Sequence, residues 1–348
     1  MKRLSFLLVA AALAAPAMSQ EWISLQDGKS LSGWKTAERP EAWVVEDGAF
    51  VSRGDRSHLF YTGKVSKHDF RNFELSLEVQ TTPGANSGVY VHTKWQGPGW
   101  PVAGYELQVI NSNPPPENHG GYIEYKMTGS VYAVRNAWVA PAKDNEWFNY
   151  RIRVVGKTIQ TFVNDQLVCE YAEPANAFRP DDKKGRLLGS GTFALQAHDP
   201  GSVVKYRNIK VKLLPADAAL PAGLEPVADA ELDRLITQAS NDNIPLIDLG
   251  LAAPASGSEE FWRQARRYGV LPVAPKDVTT IASGVAVLVD RDRGPDVELL
   301  KSLKSKGYRV AFSSGGATSF DEAQLKRRLQ AIKDAGLGWK DFWVPGRP

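Results

Sequence analysis

The chain has 348 residues, enough for more than one domain, and its 42 Lys and Arg nearly balance its 39 Asp and Glu. This balance gives no electrostatic support for nucleic-acid binding, so no nucleic-acid partner is expected. A single cysteine excludes an internal disulfide, so the fold neither needs nor uses an oxidising compartment. Ten Trp residues, several beside Gly or Pro, place aromatic faces in predicted loops.

Residues 1–19 have the three parts of a secretory signal peptide. Lys2 and Arg3 precede an apolar run that ends at Ala15, and residues 17–19 form a small-residue cleavage site. The apolar run is too short to cross a bilayer as a stable helix, and no later segment is long and uncharged enough. The sequence therefore predicts a periplasmic or secreted protein without a transmembrane segment.

Residues 20–214 are predicted to form an antiparallel β-sandwich. Short segments of alternating apolar and polar residues follow one another and are separated by turn residues. In residues 73–79 the odd positions are apolar and the even ones polar, as a strand with one solvated face requires. Residues 150–154 and 159–163 alternate in the same way, and Gly156 and Lys157 predict the hairpin turn between them.

The composition changes after residue 214, where an Ala- and Pro-rich linker is predicted over residues 215–229. Residues 230–348 then alternate helical patterns with short apolar runs that are typical of parallel strands covered on both faces. The predicted helices are 231–239, 259–268, 296–306 and 321–335, and the predicted strands are 245–249, 270–274, 284–289 and 309–313. This pattern indicates a small α/β domain, to which the sequence assigns no role.

One motif in the second domain has a weak likeness to a known catalytic pattern. Asp290 and Asp292 follow one predicted strand and Ser313 ends another, the order found in phosphatases of the haloacid dehalogenase type. The spacing is compressed, however, and ordinary loops after strands explain these residues as well.

Eight motifs of the first domain occur in the order found in the 3-keto-disaccharide hydrolase domain family. They are WISLQDGKSLSGW (22–34), WVVEDGA (43–49), GANSGVY (84–90), GYELQVI (104–110), TGSVY (128–132), EWFN (146–149), LQAH (195–198) and YRNI (206–209). Over roughly residues 22–214 the chain therefore resembles this family. The resemblance implies a concanavalin-like jelly roll and a hydrolase-type enzyme that cleaves 3-keto-glycosides, with a carbohydrate as its partner.

The chain departs from the family pattern close to the expected site. His92 stands where the family commonly has Arg, and Asn111 stands where it has Asp. Asp199 replaces the Gly that follows the histidine of the LQAH motif. The resemblance consequently transfers the fold more directly than the substrate.

Strand parity predicts a polar face, because alternate residues of a strand point to the same side about 7 Å apart. The side chains predicted to share a face are Glu106 and Gln108, Gln196 and His198, and Asn86, Tyr90 and His92. Parity alone favours rows that merely face water, whereas the family motifs favour a sugar site at Glu106, Gln108 and His198.

A ketone at C3 of a sugar acidifies the hydrogen on C2 and leaves the glycosidic oxygen β to the carbonyl, which permits elimination followed by hydration. Glu106 and His198 are the predicted catalytic residues, as acid and base or as ligands of a divalent metal ion. Hydrolysis by two carboxylates has less support, because no second carboxylate has an evident position. The sequence leaves the sugar, the metal requirement and the oligomeric state open.

Substrate binding is predicted for Asn86, Tyr90, His92, Gln108 and Gln196. Trp95 and Trp100 join them as candidates, because they lie in a Gly- and Pro-rich loop, where they either stack on a sugar ring or plug one end of the sandwich. The alternative function is a non-catalytic carbohydrate-binding module that delivers the α/β domain to a polysaccharide, since jelly rolls serve both purposes.

Overall fold

A computed structural model of the protein describes residues 21–113, 123–249, 266–273, 285–289, 294–313 and 320–344. The predicted signal peptide and the two aspartates at positions 290 and 292 lie outside these ranges. None of the helices within them is both long and apolar enough to span a bilayer.

The larger sheet of the first domain has eight antiparallel strands. In spatial order these are β11 (Gln166–Ala172), β10 (Thr158–Val163), β9 (Phe148–Val155), β6 (Phe73–Thr81), β13 (Val204–Leu213), β4 (Ala49–Ser52) and β3 (Trp43–Glu46), with β1 (Ile23–Ser24) paired beside β13. The predicted hairpin is confirmed, because Val155 pairs with Thr158 on either side of the turn at Gly156 and Lys157.

The smaller sheet has five antiparallel strands. In spatial order they are β2 (Trp34–Thr36), β5 (Ser57–Tyr61), β12 (Thr192–Ala197), β7 (Ser87–Thr93) and β8 (Tyr105–Val109).

The two sheets pack face to face over one apolar core, as predicted. In β6 the odd residues from Phe73 to Val79 are at most 1% exposed and belong to that core. The even residues Glu74 and Glu78 point outward and pair with arginines of neighbouring strands. Alternation along each strand therefore separates a dry face from a polar one.

The second domain contains a four-stranded parallel sheet, in line with the predicted α/β class. Its strands are β15 (Leu271–Val273), β14 (Ile247–Leu249), β17 (Arg309–Ser313) and β16 (Val285–Val289), and its described helices are α1 (Ala230–Asn241), α2 (Val297–Ser305) and α3 (Glu322–Asp334). Asp229, Asp296 and Asp321 cap the three helices by accepting backbone N–H bonds. Most of the helix predicted at 259–268 lies outside the described residues.

The Ala- and Pro-rich linker lies along the sandwich. Asn72 donates from Nδ2 to the carbonyl of Pro215 at 2.9 Å, and Arg153 donates to the carbonyl of Ala219 at 3.3 Å. Leu224 and Val227 are buried. Such contacts fix the path of the linker between the two domains.

Residues 123–138 of the first domain pack into the second. Tyr125 and Trp138 belong to the apolar core of the second domain, and Trp138 donates from Nε1 to the carbonyl of Gly269 at 2.8 Å. Arg135 and Asp233 form an ion pair at 2.5 Å, and both residues are at most 2% exposed. The contact between the domains is thus a shared core that contains a buried charge pair.

We expect Asp233→Ala to lower the free energy of unfolding by about 3–5 kcal/mol, because it leaves the buried guanidinium of Arg135 without a carboxylate. Glu46→Ala is the matched control, since it breaks a 2.7 Å pair with Arg53 that is exposed on both sides, and its expected cost is below about 1 kcal/mol. Urea unfolding measures both variants. Equal losses would contradict a specific role for the interdomain pair.

Candidate functional site

A cavity of about 350 Å³ lies on the face of the smaller sheet that is turned away from the core. Seven of the nine predicted site residues line it, and they come from three adjacent strands and one loop. These residues are Asn86, Tyr90, Trp100, Glu106, Gln108, Gln196 and His198. The structure therefore brings together the predicted catalytic pair and most of the predicted substrate-binding residues.

The register of β7 and β8 sets the floor of this pocket. Tyr90 lies opposite Glu106, and Gly88 lies opposite Gln108. A Cβ atom on Gly88 would come within 2.9 Å of the Glu106 carboxylate. Glycine at this position consequently lets the Glu106 side chain lie across the neighbouring strand.

Glu106 is held by two donors. Arg186 Nη2 lies 3.1 Å from Glu106 Oε2, and Gln196 Nε2 donates to Glu106 Oε1 at 3.0 Å and lies 3.1 Å from the Tyr90 hydroxyl. Burial opposes the charge of Arg186, but the Glu106 carboxylate together with Tyr90 and Tyr132 outweighs it and raises the pKa of the guanidinium. The ion pair makes Glu106 a fixed acceptor in the pocket floor.

His198 is oriented by the carboxylate of the next residue in the chain. His198 Nδ1 lies 2.8 Å from Asp199 Oδ2, which Ser202 Oγ approaches at 2.9 Å. Burial works against the charge of Asp199, but the hydrogen bonds from His198 and Ser202 outweigh it and lower the pKa of the carboxyl group. An imidazole that donates from Nδ1 to a carboxylate keeps the lone pair of Nε2 for a proton.

Asn86 and Gln108 extend this arrangement along the pocket. Gln108 Nε2 donates to Asn86 Oδ1 at 3.0 Å, which turns Asn86 Nδ2 toward His198 Nε2 at 3.4 Å. The pocket therefore holds two polar networks, one around Glu106 and one around His198.

Three buried polar atoms of these networks have no hydrogen-bond partner among the described residues. They are the acceptors Gln108 Oε1 and Gln196 Oε1 and the donor Arg186 Nη1. Unpaired buried polar groups are costly, so these atoms need partners from within the pocket, either water or a bound ligand. A hydroxyl group both donates and accepts, so a polyhydroxylated ligand fits this mixture.

The donor set does not fit a divalent metal ion at the predicted position. Both oxygens of Glu106 already accept hydrogen bonds, and the Arg186 guanidinium beside them would repel a cation. Across the described ranges, no three His, Cys, Asp or Glu side chains gather as a metal site. The two predicted metal ligands are instead bound by protein groups.

Trp100 forms the rim of the pocket. Its ring lies 5.3 Å from the ring of His198 and 5.5 Å from that of His58, and the Arg56 guanidinium sits 5.3 Å from the indole. The side chain stays 43% exposed. This position favours stacking on a bound ring over plugging the sandwich.

Two predicted residues lie outside the pocket. His92 has a left-handed backbone (φ 54°) at an irregularity in the pairing of β7 with β12, so it no longer follows the alternation that places Tyr90 in the pocket. Its ring turns to Phe73, and its Nε2 lies 2.9 Å from the carbonyl of Arg71. Trp95 lies under Lys35, whose Nζ is 3.8 Å from the indole, and does not line the pocket.

Sequence reasoning missed the residues that reach the pocket from irregular segments. Arg186 and Lys183 come from the long connection between β11 and β12, and Tyr132 comes from the segment that contacts the second domain. No periodicity marks these positions. The TGSVY motif contains Tyr132, whereas no motif of the family contains Lys183 or Arg186.

Comparison with known proteins gives a consistent family. The sequence profile of the 3-keto-alpha-glucoside-1,2-lyase-like domain matches residues 21–212. A 3-keto-disaccharide hydrolase of Bacteroides thetaiotaomicron is 27% identical over 238 residues, which cover 58% of this chain and 81% of that protein.

Solved structures show weaker likeness. A candidate glycosyl hydrolase from Parabacteroides distasonis is 21% identical with a TM-score of 0.47, covering 56% of this chain and 94% of that one. The carbohydrate-binding module CBM66 from Bacillus subtilis is 13% identical with a TM-score of 0.36, covering 52% of this chain and 95% of that one. Likeness at this level identifies no substrate.

Beside the pocket, His58 makes the stability of the fold depend on pH. Burial lowers the pKa of His58 from 6.5 to about 3, so the unfolded chain binds the proton more readily than the folded one. The stability that neutral His58 contributes to the folded state is therefore fully present above about pH 6.5 and is lost as the pH falls toward 3. His92, with a pKa lowered by burial to about 4, acts in the same direction.

Between pH 7 and pH 5 we expect the free energy of unfolding to fall by about 2 kcal/mol less in His58→Phe than in the wild type, because phenylalanine cannot take up a proton in the unfolded state. Urea unfolding of both proteins at the two pH values measures this difference. The same pH dependence in the variant and the wild type would contradict the assignment.

Proposed function

This chain belongs to the 3-keto-alpha-glucoside-1,2-lyase-like domain family, and we propose that its pocket cleaves the glycosidic bond of 3-keto-glycosides. The family membership and the similarity to the Bacteroides thetaiotaomicron hydrolase support a carbohydrate-active enzyme of hydrolase type. The observation that carries the proposal is the meeting of an Asp-oriented imidazole and an Arg-bound carboxylate in one pocket. Its volume lies at the lower end of the range for small-molecule sites.

His198 is the base in the proposed reaction. Its Nε2 removes the proton from C2, which the neighbouring ketone acidifies, and the electron pair forms the C1=C2 double bond as the C1–O bond breaks. The departing oxygen keeps the bonding pair and receives the proton from His198. Water then adds across the double bond, with hydroxyl at C1 and hydrogen at C2, so the net result is hydrolysis.

The other pocket residues hold the sugar for this step. Glu106 accepts hydrogen bonds from sugar hydroxyls, and Arg186 Nη1 donates to an oxygen where negative charge develops, as expected for the ketone. The amides of Gln108 and Gln196 supply acceptors, and Trp100 covers one ring face. In this scheme the Glu106 carboxylate orients the substrate and takes no part in proton transfer.

We also propose that the reaction takes place in the periplasm or outside the cell, to which the predicted signal in residues 1–19 directs the chain. The alternative is a non-catalytic carbohydrate-binding module. It would bind the same sugar through Trp100 and the amides but would show no turnover. Measured cleavage therefore separates the two functions.

We expect His198→Ala to lower kcat for a 3-keto-glucoside at least about a hundredfold, because the base is lost. Glu106→Gln is expected to raise KM more than it lowers kcat, since it removes an orienting acceptor and its ion pair. His68→Ala and Glu46→Gln, both at exposed positions, are the controls. Chromatographic measurement of the released aglycone gives kcat and KM for each variant. A wild-type kcat in His198→Ala would exclude His198 as the base.

We expect Asp199→Asn to lower kcat about ten- to a hundredfold with little change in KM, because the amide no longer fixes the proton on Nδ1 of His198. Asp199 does not line the pocket, so direct contact with the sugar is not lost. Asp55→Asn at an exposed position is the control. A change confined to KM would show that Asp199 shapes the pocket without orienting the base.

A further inference from the structure

A buried charge cluster lies behind the pocket wall formed by Tyr132. Lys126 and Glu124 are each 2% exposed, and Lys126 Nζ lies 3.3 Å from Glu124 Oε1. Lys126 also donates from Nζ to Oδ1 of Asn243, a residue of the second domain. The ammonium group is thus satisfied from both domains at once.

Tyr132 connects this cluster to the pocket. Its ring centroid lies 4.8 Å from Lys126 Nζ and 5.2 Å from the Arg186 guanidinium, and its hydroxyl donates to Glu124 Oε2 at 3.4 Å. Cations over an aromatic ring are attracted by its π-electrons, so the ring responds to the position of both. Arg186 in turn binds Glu106 in the pocket floor.

Asn243 is well placed to fix Lys126. It follows α1 with a left-handed backbone (φ 59°), a conformation that asparagine tolerates better than most residues, and it is 8% exposed. Burial lowers the pKa of Lys126, while Glu124 acts against this effect. A buried ammonium that loses an acceptor must move to find another, and Tyr132 and Glu124 are its neighbours.

We propose that Asn243 is a positioning residue for the pocket, which it organises through Lys126 and Tyr132. The second domain then completes the wall of a site whose floor belongs entirely to the first domain. The inference deepens the proposed function, on which it rests for the identity of the ligand.

The test compares two interface variants of the full chain. Asn243→Ala removes the acceptor for Lys126, whereas Asn136→Ala removes a hydrogen bond of the same interface, to the carbonyl of Ser240 at 2.8 Å, that does not reach the pocket. Asn243→Asp keeps an Oδ acceptor and serves as the conservative rescue. Melting temperature, KM and kcat for a 3-keto-glucoside are measured for each.

We expect Asn243→Ala to raise KM on the order of tenfold, and Asn243→Asp to restore most of that loss. Asn136→Ala should lower the melting temperature by about as much as Asn243→Ala does, while leaving KM at the wild-type value. Equal effects of the two alanine variants on KM, or an unchanged KM in Asn243→Ala, would overturn the proposal, because Asn243 would then serve only to join the domains.

A second readout needs no substrate and separates this inference from the proposed function. In protein with ¹³C-labelled tyrosine rings, the Tyr132 signal is identified by its loss in Tyr132→Phe. We expect the signal to shift in Asn243→Ala and to stay in place in Asn136→Ala. If the wild type does not cleave the keto sugar, the proposed function fails, and an unmoved Tyr132 signal is the result that overturns the positioning role.

Discussion

Burial of one face of the smaller sheet against the larger one is the constraint on which the site depends. Tyr105 and Leu107 are fully buried in the core between the sheets, and the pleat then forces Glu106 to the opposite side. A slip of one residue would exchange the two sets and place a carboxylate in an apolar core. The energy that fixes the register of β8 is therefore also the energy that positions Glu106.

Polar groups gathered in this way are costly unless each finds a partner. Glu106 needs a cation as a partner. The long connection before β12 supplies Arg186 from outside the sheet. Lys126 and Glu124 behind the wall have the same requirement, and the second domain contributes Asn243 to it. The regular strands thus set the direction of the polar side chains, whereas the irregular segments supply the groups that pair with their charges.

This division explains how much of the site could be predicted from the sequence. Alternation places Glu106 and Gln196 correctly because their strands are regular where they border the pocket. It fails at His92, where one left-handed residue interrupts the pairing and turns the ring toward the core. Arg186 lies in a segment without periodicity, and its contact with Glu106 joins residues eighty positions apart, so local pattern carries no information about it.

The same reasoning applies to the fold. The sandwich and the α/β class follow from periods of two and from apolar runs, both of which are local properties of the chain. The docking of the two domains does not follow from local properties, because Arg135 and Asp233 pair across 98 residues and Trp138 enters the core of the other domain. The Ala- and Pro-rich linker predicts a boundary between domains, but its composition does not show that it lies against the sandwich.

Asp199 is the departure from the family pattern that lies in direct contact with His198. Where the family commonly has glycine, this chain has a carboxylate that accepts from His198 and is itself held by Ser202 and the backbone of Gly201. Such an anchor fixes both the ring and its proton, and it leaves Glu106 free of that task. In the proposed reaction the base, His198, and the orienting carboxylate, Glu106, are therefore separate groups, so that a sugar ring between them is held through its hydroxyls at one end and deprotonated at the other.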